Sequence, residues 1–291
     1  MRPTVGSPEH RDLLCKTFLD THMAFEPESL PWPRLEPHHV ELLRSFPFWA
    51  FALSLEQEAG RMITVFAETI DDPLVRKAID LQAYEETRHG RLLKFMLGHY
   101  GIEFDQVPIT AKPVERDDFV TFGFGECTDS FIGFTGFALA REKGIFPQGL
   151  LDIFEQILYE EARHIVFFIN WWRYEEARAG RTNRFARAIR GIRYQLSAIL
   201  HTSQGAAGSQ TTANLDLTGG GSAEILAGVT PKTFLEIGLR ENRAMLARLD
   251  RRLLRPRLIA RLATAALLAL RMLPPLPAKQ TEPARAERLV A

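Results

Sequence analysis

The residues best suited to chemistry stand in two near-copies of one motif, Glu85-Glu86-Thr87-Arg88-His89 and Glu160-Glu161-Ala162-Arg163-His164, 75 positions apart. A single Glu-x-x-His arises readily by chance, whereas a repeated Glu-Glu-x-Arg-His does not. On a helix, residues three apart share a face. Glu86 with His89, and Glu161 with His164, can therefore each offer a carboxylate and an imidazole to one metal ion. Carboxylates supply charge and shift between terminal and bridging modes, while neutral imidazoles favour first-row transition metals over magnesium or calcium. A ligating His usually passes its second N–H to a carboxylate. Glu85 and Glu160 are placed for that, with Arg88 and Arg163 to neutralise them.

Helices must carry these groups. Apolar residues at 3–4 spacing predict a helix over about 38–70. Asp71-Asp72-Pro73 reads as a turn with Pro opening a second helix, which runs to about Tyr100 and stops at Gly101. A third spans about 117–143 and a fourth about 147–179, separated by Gly144 and Pro147 and closed by Gly180. Strand signals are weak. Segments of roughly 27–33 residues, each about 40–50 Å long, suit an antiparallel bundle. The expected fold is all-α: an antiparallel four-helix bundle over 38–180, after an irregular arm at 1–37, with additional C-terminal helices over 181–278. That extension reads as a basic helix at about 182–201, a flexible Gly/Ser/Thr-rich loop or lid at 203–222, and a helix from Pro231 through Arg252 onward to Arg271. A disordered tail, 279–291, follows.

Antiparallel pairing gives each motif a facing level. The first turn centres near 71–72, so the level opposite Glu86 and His89 is about 55–56 and selects Glu56. Glu58 lies roughly 200° further round the helix. Around the second turn, near 145, the level opposite Glu161 and His164 is about 127–128. Glu126 stands there among Phe and Gly, and Asp129 is the other carboxylate close by. The candidate metal ligands are Glu56, Glu86, His89, Glu126, Glu161 and His164.

This set resembles the ferritin-like di-iron carboxylate superfamily, which places a Glu on each of two helices and Glu-x-x-His on the other two. Glu85–His89 followed by Gly90-Arg91-Leu92-Leu93 is similar to the first motif of soluble acyl-carrier-protein desaturases. Glu56-Gln57-Glu58-Ala59 is similar to the first-ligand segment of aldehyde-deformylating oxygenases, and Arg before His also occurs in the oxidative cyclase of chlorophyll synthesis. The likeness covers about residues 40–175 and spreads over subfamilies with different reactions. It implies two iron ions, or manganese with iron, dioxygen as co-substrate, and hydroxylation, desaturation or other oxidation of an organic molecule. Ser130, one turn beyond Glu126, matches a Thr position associated with oxygen activation in bacterial hydrocarbon monooxygenases, and is the candidate catalytic residue. Leu93 departs from the Tyr of the radical-bearing ribonucleotide reductase subunit. The alternative class is iron handling, a ferroxidase without organic substrate, although ferritins commonly lack a complete second Glu-x-x-His. A catalytically silent bundle is a third reading.

Composition bears on partners. The third helix sets Gly123, Gly125, Gly133 and Gly136 beside six Phe, either for close packing or for a Phe-lined pocket. The pocket reading implies an apolar small-molecule substrate, free or carrier-bound. Two cysteines, Cys15 and Cys127, and no nicotinamide fingerprint leave the electrons to a separate ferredoxin or reductase. The formal net charge is zero and the basic residues are scattered, which excludes a nucleic-acid stripe. No charged start with an apolar run follows Met1, so the expected location is cytoplasmic. Leu258–Leu273 is shorter than the roughly 20 residues that span a bilayer. The segment 251–273 can dock on the bundle, lie peripherally on the inner membrane, or form a homodimer contact. Tyr84 and Tyr159 precede the two motifs, and His201 is a further candidate ligand.

Overall fold

The computed structural model describes residues 1–46, 48–104, 113–208 and 220–272, without the side chains of 201–208 and 220. Among the described residues the regular structure is entirely helical: α1 Pro8–Asp20, α2 Pro37–Ser45, α3 Trp49–Ala67, α4 Pro73–His99, α5 Arg116–Glu142, α6 Gln148–Arg178, α7 Arg184–Gly208, α8 Gly220–Leu226, α9 Pro231–Ala247 and α10 Leu258–Met272, with a 3-10 turn at Pro27–Ser29.

Local chemistry sets the long helices. Asp72 caps α4, accepting from Leu74 and Val75 N–H at 3.0 and 3.2 Å, and Pro73 fills a position whose N–H would otherwise lack a partner. Gly101, Gly144 and Gly180 end α4, α5 and α6 at φ of 63°, 62° and 69°, backbone that only glycine adopts at little cost. α3 packs on α4 and α5 on α6, with further contacts between α3 and α5 and between α4 and α6. In both pairs residue numbers rise on one helix as they fall on its partner. Gly60 faces Thr87 while Gly90 faces Glu56, and Gly123 faces Phe168 while Gly133 faces Leu158. Both pairs therefore run antiparallel. Between them Phe66 stacks on Phe119 at 4.2 Å, with the Trp171 ring edge-on to both.

Several expectations are corrected. The helix expected over 38–70 is two, α2 and α3, and Pro47 between them supplies no N–H to continue a helix. The arm at 1–37 is not irregular throughout. Ser7 caps α1 by accepting from His10 N–H, Pro8 follows, and Leu14, Cys15 and Phe18 form a buried stripe against α4 and α6. Helix α7 runs on to Gly208 and α8 opens at Gly220, so the ends of the expected loop 203–222 are helical. The helix expected over 231–271 divides into α9 and α10, around a link containing Pro256. The expected tail 279–291 lies outside the described residues. α10 docks on α9 and α5 through Ala263 and Leu267, leaving Leu262, Leu268 and Met272 exposed. No helix among the described residues is long and apolar enough to cross a membrane.

Two glycines set how closely the paired helices approach. A Cβ at Gly60 would lie 2.4 Å from Thr87 Oγ1 and 3.2 Å from its backbone nitrogen, and one at Gly123 would lie 2.3 Å from the Phe168 ring. Gly60→Ala and Gly123→Ala should each lower stability by about 1–3 kcal/mol, the usual cost of overpacking. Urea unfolding should show this as a lower midpoint at unchanged slope.

Candidate metal centre

The two motifs sit on the facing sides of α4 and α6, with Glu85, Glu86, His89, Glu160 and His164 buried and Glu161 only 12% exposed. Glu86 and Glu161 each reach both imidazoles. His89 Nδ1 lies 3.0 Å from Glu161 Oε1 and 3.7 Å from Glu86 Oε2. His164 Nδ1 lies 3.0 Å from Glu86 Oε1 and 3.7 Å from Glu161 Oε2. Glu56 joins from α3, 3.6 Å from His89 Nδ1. Donor atoms of Glu56, Glu86, His89 and Glu161 all lie within 4.8 Å of one another. Glu58 turns instead to Arg61 at the surface.

Glu126 is not brought into that close set, but it stands near enough for the charges of Glu161, Glu86 and Glu56 to act on it. Ser130 is buried and its hydroxyl has no partner among the described residues. Tyr84 points outward, bonding Glu26, with its ring 5.4 Å from the Arg88 guanidinium. Tyr159 lies under Arg248. The side chain of His201 lies outside the described residues. The phenylalanines Phe119, Phe124, Phe131 and Phe134 of α5 are buried in packing contacts.

Outside this set, the two motifs support each other crosswise. His89 Nε2 lies 2.9 Å from Glu160 Oε2, and His164 Nε2 lies 2.8 Å from Glu85 Oε2. Arg88 donates to Glu160, and Arg163 Nη1 to both oxygens of Glu85 at 2.8 and 3.0 Å. Each arginine also ties down the segment around and after α1. Arg88 donates to the Met23 and Phe25 carbonyls, and Arg163 to the Phe18 carbonyl and the Thr21 hydroxyl. Phe25 and Phe18 stack on the two guanidiniums. His22 completes the shell, its Nδ1 2.6 Å from Glu85 Oε1. His22 and Thr21 were not singled out by the sequence. Their signal was the Ser7-Pro8 helix start and the Leu14/Cys15/Phe18 stripe that dock α1 here.

The inner arrangement calls for cations. A carboxylate only accepts, so each Nε2 must carry a hydrogen toward Glu160 or Glu85. That leaves each Nδ1 facing carboxylate oxygens. Although an oxygen lies 3.0 Å away in both cases, neither Nδ1 makes a hydrogen bond, nor do Glu86 Oε1 and Glu161 Oε2. The oxygens are close but off the line of an N–H bond. Buried acceptors converging in this way are strongly unfavourable unless positive charge sits among them. A metal ion would fit among Glu56, Glu86, His89 and Glu161, whose donor atoms converge, and His164 lies within reach of the same two carboxylates, Glu86 and Glu161. The neighbouring trio His22, Glu85 and Glu160 also converges, but Arg88 and Arg163 already supply its charge.

Titration follows the same geometry. Burial alone would lower His89, yet contacts with Glu160, Glu161, Glu56 and Glu86 carry it well above the usual histidine range. His164 is raised against its burial by Glu86, Glu161 and Glu85. Burial and the charges of Glu161 and Glu86 push Glu126 up well above its usual range, and burial lifts Glu56 to about 7. Glu85, against its burial, is held near 2 by His164 and Arg163.

No family model, curated protein or solved structure matches the chain.

Protons therefore occupy metal-binding atoms in the metal-free protein, and metal must displace them. Loading at pH 7 should release about three protons per chain, and apparent affinity should rise with pH until those groups are deprotonated. Calorimetric titration in buffers of different ionisation enthalpy measures this. Affinity that does not change with pH would count against the assignment.

Proposed function

We propose that this chain is a dioxygen-dependent di-iron oxidoreductase of the ferritin-like type, which hydroxylates, desaturates or otherwise oxidises a largely apolar organic substrate. The observation that carries the proposal is the placing of Glu86 and Glu161, each within reach of both His89 and His164. Bound among these donors, two irons (or manganese with iron) supply electrons and open coordination positions at which dioxygen is reduced.

The chain's own groups do the remaining work. Glu160 and Glu85 fix the imidazoles with Nδ1 turned inward, and Arg88 and Arg163 hold those carboxylates ionised and in place. Burial excludes water from the inner side of both histidines. Glu126, which burial and the charges of Glu161 and Glu86 carry above the usual carboxylate range, is the candidate proton holder beside the centre. Ser130, one turn along α5, is the other hydroxyl-bearing candidate. Cys15 and Cys127 are both buried and free, which fits electrons arriving from a separate ferredoxin or reductase in a cytoplasmic setting.

Anaerobic loading with excess ferrous iron, followed by air, should leave two irons per chain. Glu161→Ala should lose both ions. Glu56→Ala should weaken mainly the ion beside His89, leaving about one iron per chain. Iron accumulating far beyond two per chain would mark a storage protein and overturn the proposal, and so would a chain that takes up none.

A further inference from the structure

A second site lies on the face where α5 and α6 meet α7 and the link into α10. It is a groove of about 550 Å³, within the roughly 300–1,000 Å³ that encloses one small organic ligand. Its apolar lining includes Phe124 of α5, Ile169 and Trp172 of α6, Ile192 of α7, Leu254 and Leu258. Seven arginines also line it, among them Arg173 of α6, Arg184 and Arg187 of α7, and Arg257 and Arg261 from the α10 end, and no carboxylate does. None of the seven makes a salt bridge among the described residues. The acids nearby are engaged elsewhere, Glu176 by Arg181 and Arg190, and Asp250 by Arg252.

The positive charge is crowded as well as unpaired. Burial and the charge of Arg187 hold Arg173 below the usual arginine range, and burial together with Arg2 does the same to Arg255. Two donors lack acceptors among the described residues: the indole N–H of Trp172, a residue only 6% exposed, and the Nε–H of Arg173. Leaving buried donors unpaired is costly, and guanidiniums suit planar or tetrahedral oxyanions.

We propose that this groove binds one single-chain amphiphile, its anionic head among the arginines and its hydrocarbon tail against the Phe124, Ile169 and Trp172 floor. The groove has room for one chain with its head among the arginines, which favours a free amphiphile over a bilayer surface. Ile169 lies five residues beyond His164 on the same helix, about 7.5 Å along its axis and about 140° round it, so the groove lies on a different face of α6 from the buried centre. The groove can bind whether or not that centre holds iron, and iron content is measured on the same samples so that the two claims fail separately.

The probe is dodecyl phosphate below its micelle concentration, titrated calorimetrically into the full chain. Saturable binding at one per chain is expected, with dodecanol at least about tenfold weaker. The double variant Arg187→Gln/Arg257→Gln should also bind at least about tenfold more weakly, with unchanged iron content. No saturable binding, equal affinity for dodecanol, or an unaffected double variant would each overturn the proposal. Association with phosphatidylglycerol vesicles in the absence of binding to the monomeric probe would overturn it too.

Discussion

Carboxylates and imidazoles converging in the protein interior, whose charge protons or metal must balance, constrain the rest of this molecule. Two imidazole nitrogens and the oxygens of Glu86 and Glu161 face one another inside a helical core, where unpaired acceptors and unbalanced charge are expensive. Packing cannot relieve this, because no conformer of a carboxylate becomes a donor while it stays ionised. Cations can, and the outer network shows the chain managing charge in that way. Glu85 and Glu160 are fully buried and each meets an arginine and a histidine. Those pairs are closed, hydrogen-bonded units, whereas the inner set is left open.

The crosswise pattern explains why the two motifs stay in register. His89 of α4 leans on Glu160 of α6, and His164 of α6 leans on Glu85 of α4. Rotating or sliding either helix would break both supports together. The α1 region closes the outer side, since both arginines donate to carbonyls of residues 18–25. Removing α1 would uncover charged groups held at low dielectric, so its docking supports the centre as well as the fold. Gly60 acts similarly from α3, letting that helix come close enough for Glu56 to reach His89.

Much of this was legible in the residues. The helix boundaries of α4, α5 and α6 came within one or two positions of their glycine and proline signals. The duplicated motif identified four of the side chains that converge, Glu86, His89, Glu161 and His164. Glu56 was selected over Glu58 from a turn midpoint, although Gly60, not Glu56, lies level with Thr87. The offset of about one turn is bridged by the length of the Glu side chain and the tilt of Cβ toward the helix start. Glu126 was placed by the same level argument but stands back from the close set. A facing level fixes height along a helix, not how far a side chain extends. The parts that were missed depend on tertiary context. His22 and Thr21 follow a short helix whose role appears only when it docks, and the arginine groove gathers residues from the N-terminus, four helices and the link into α10.

The most direct test is where iron sits. Anomalous diffraction from crystals of the iron-loaded chain should show two peaks bridged by Glu86 and Glu161. His89 should ligate one ion and His164 the other through Nδ1. A single peak, or iron bound away from both imidazoles, would contradict the account.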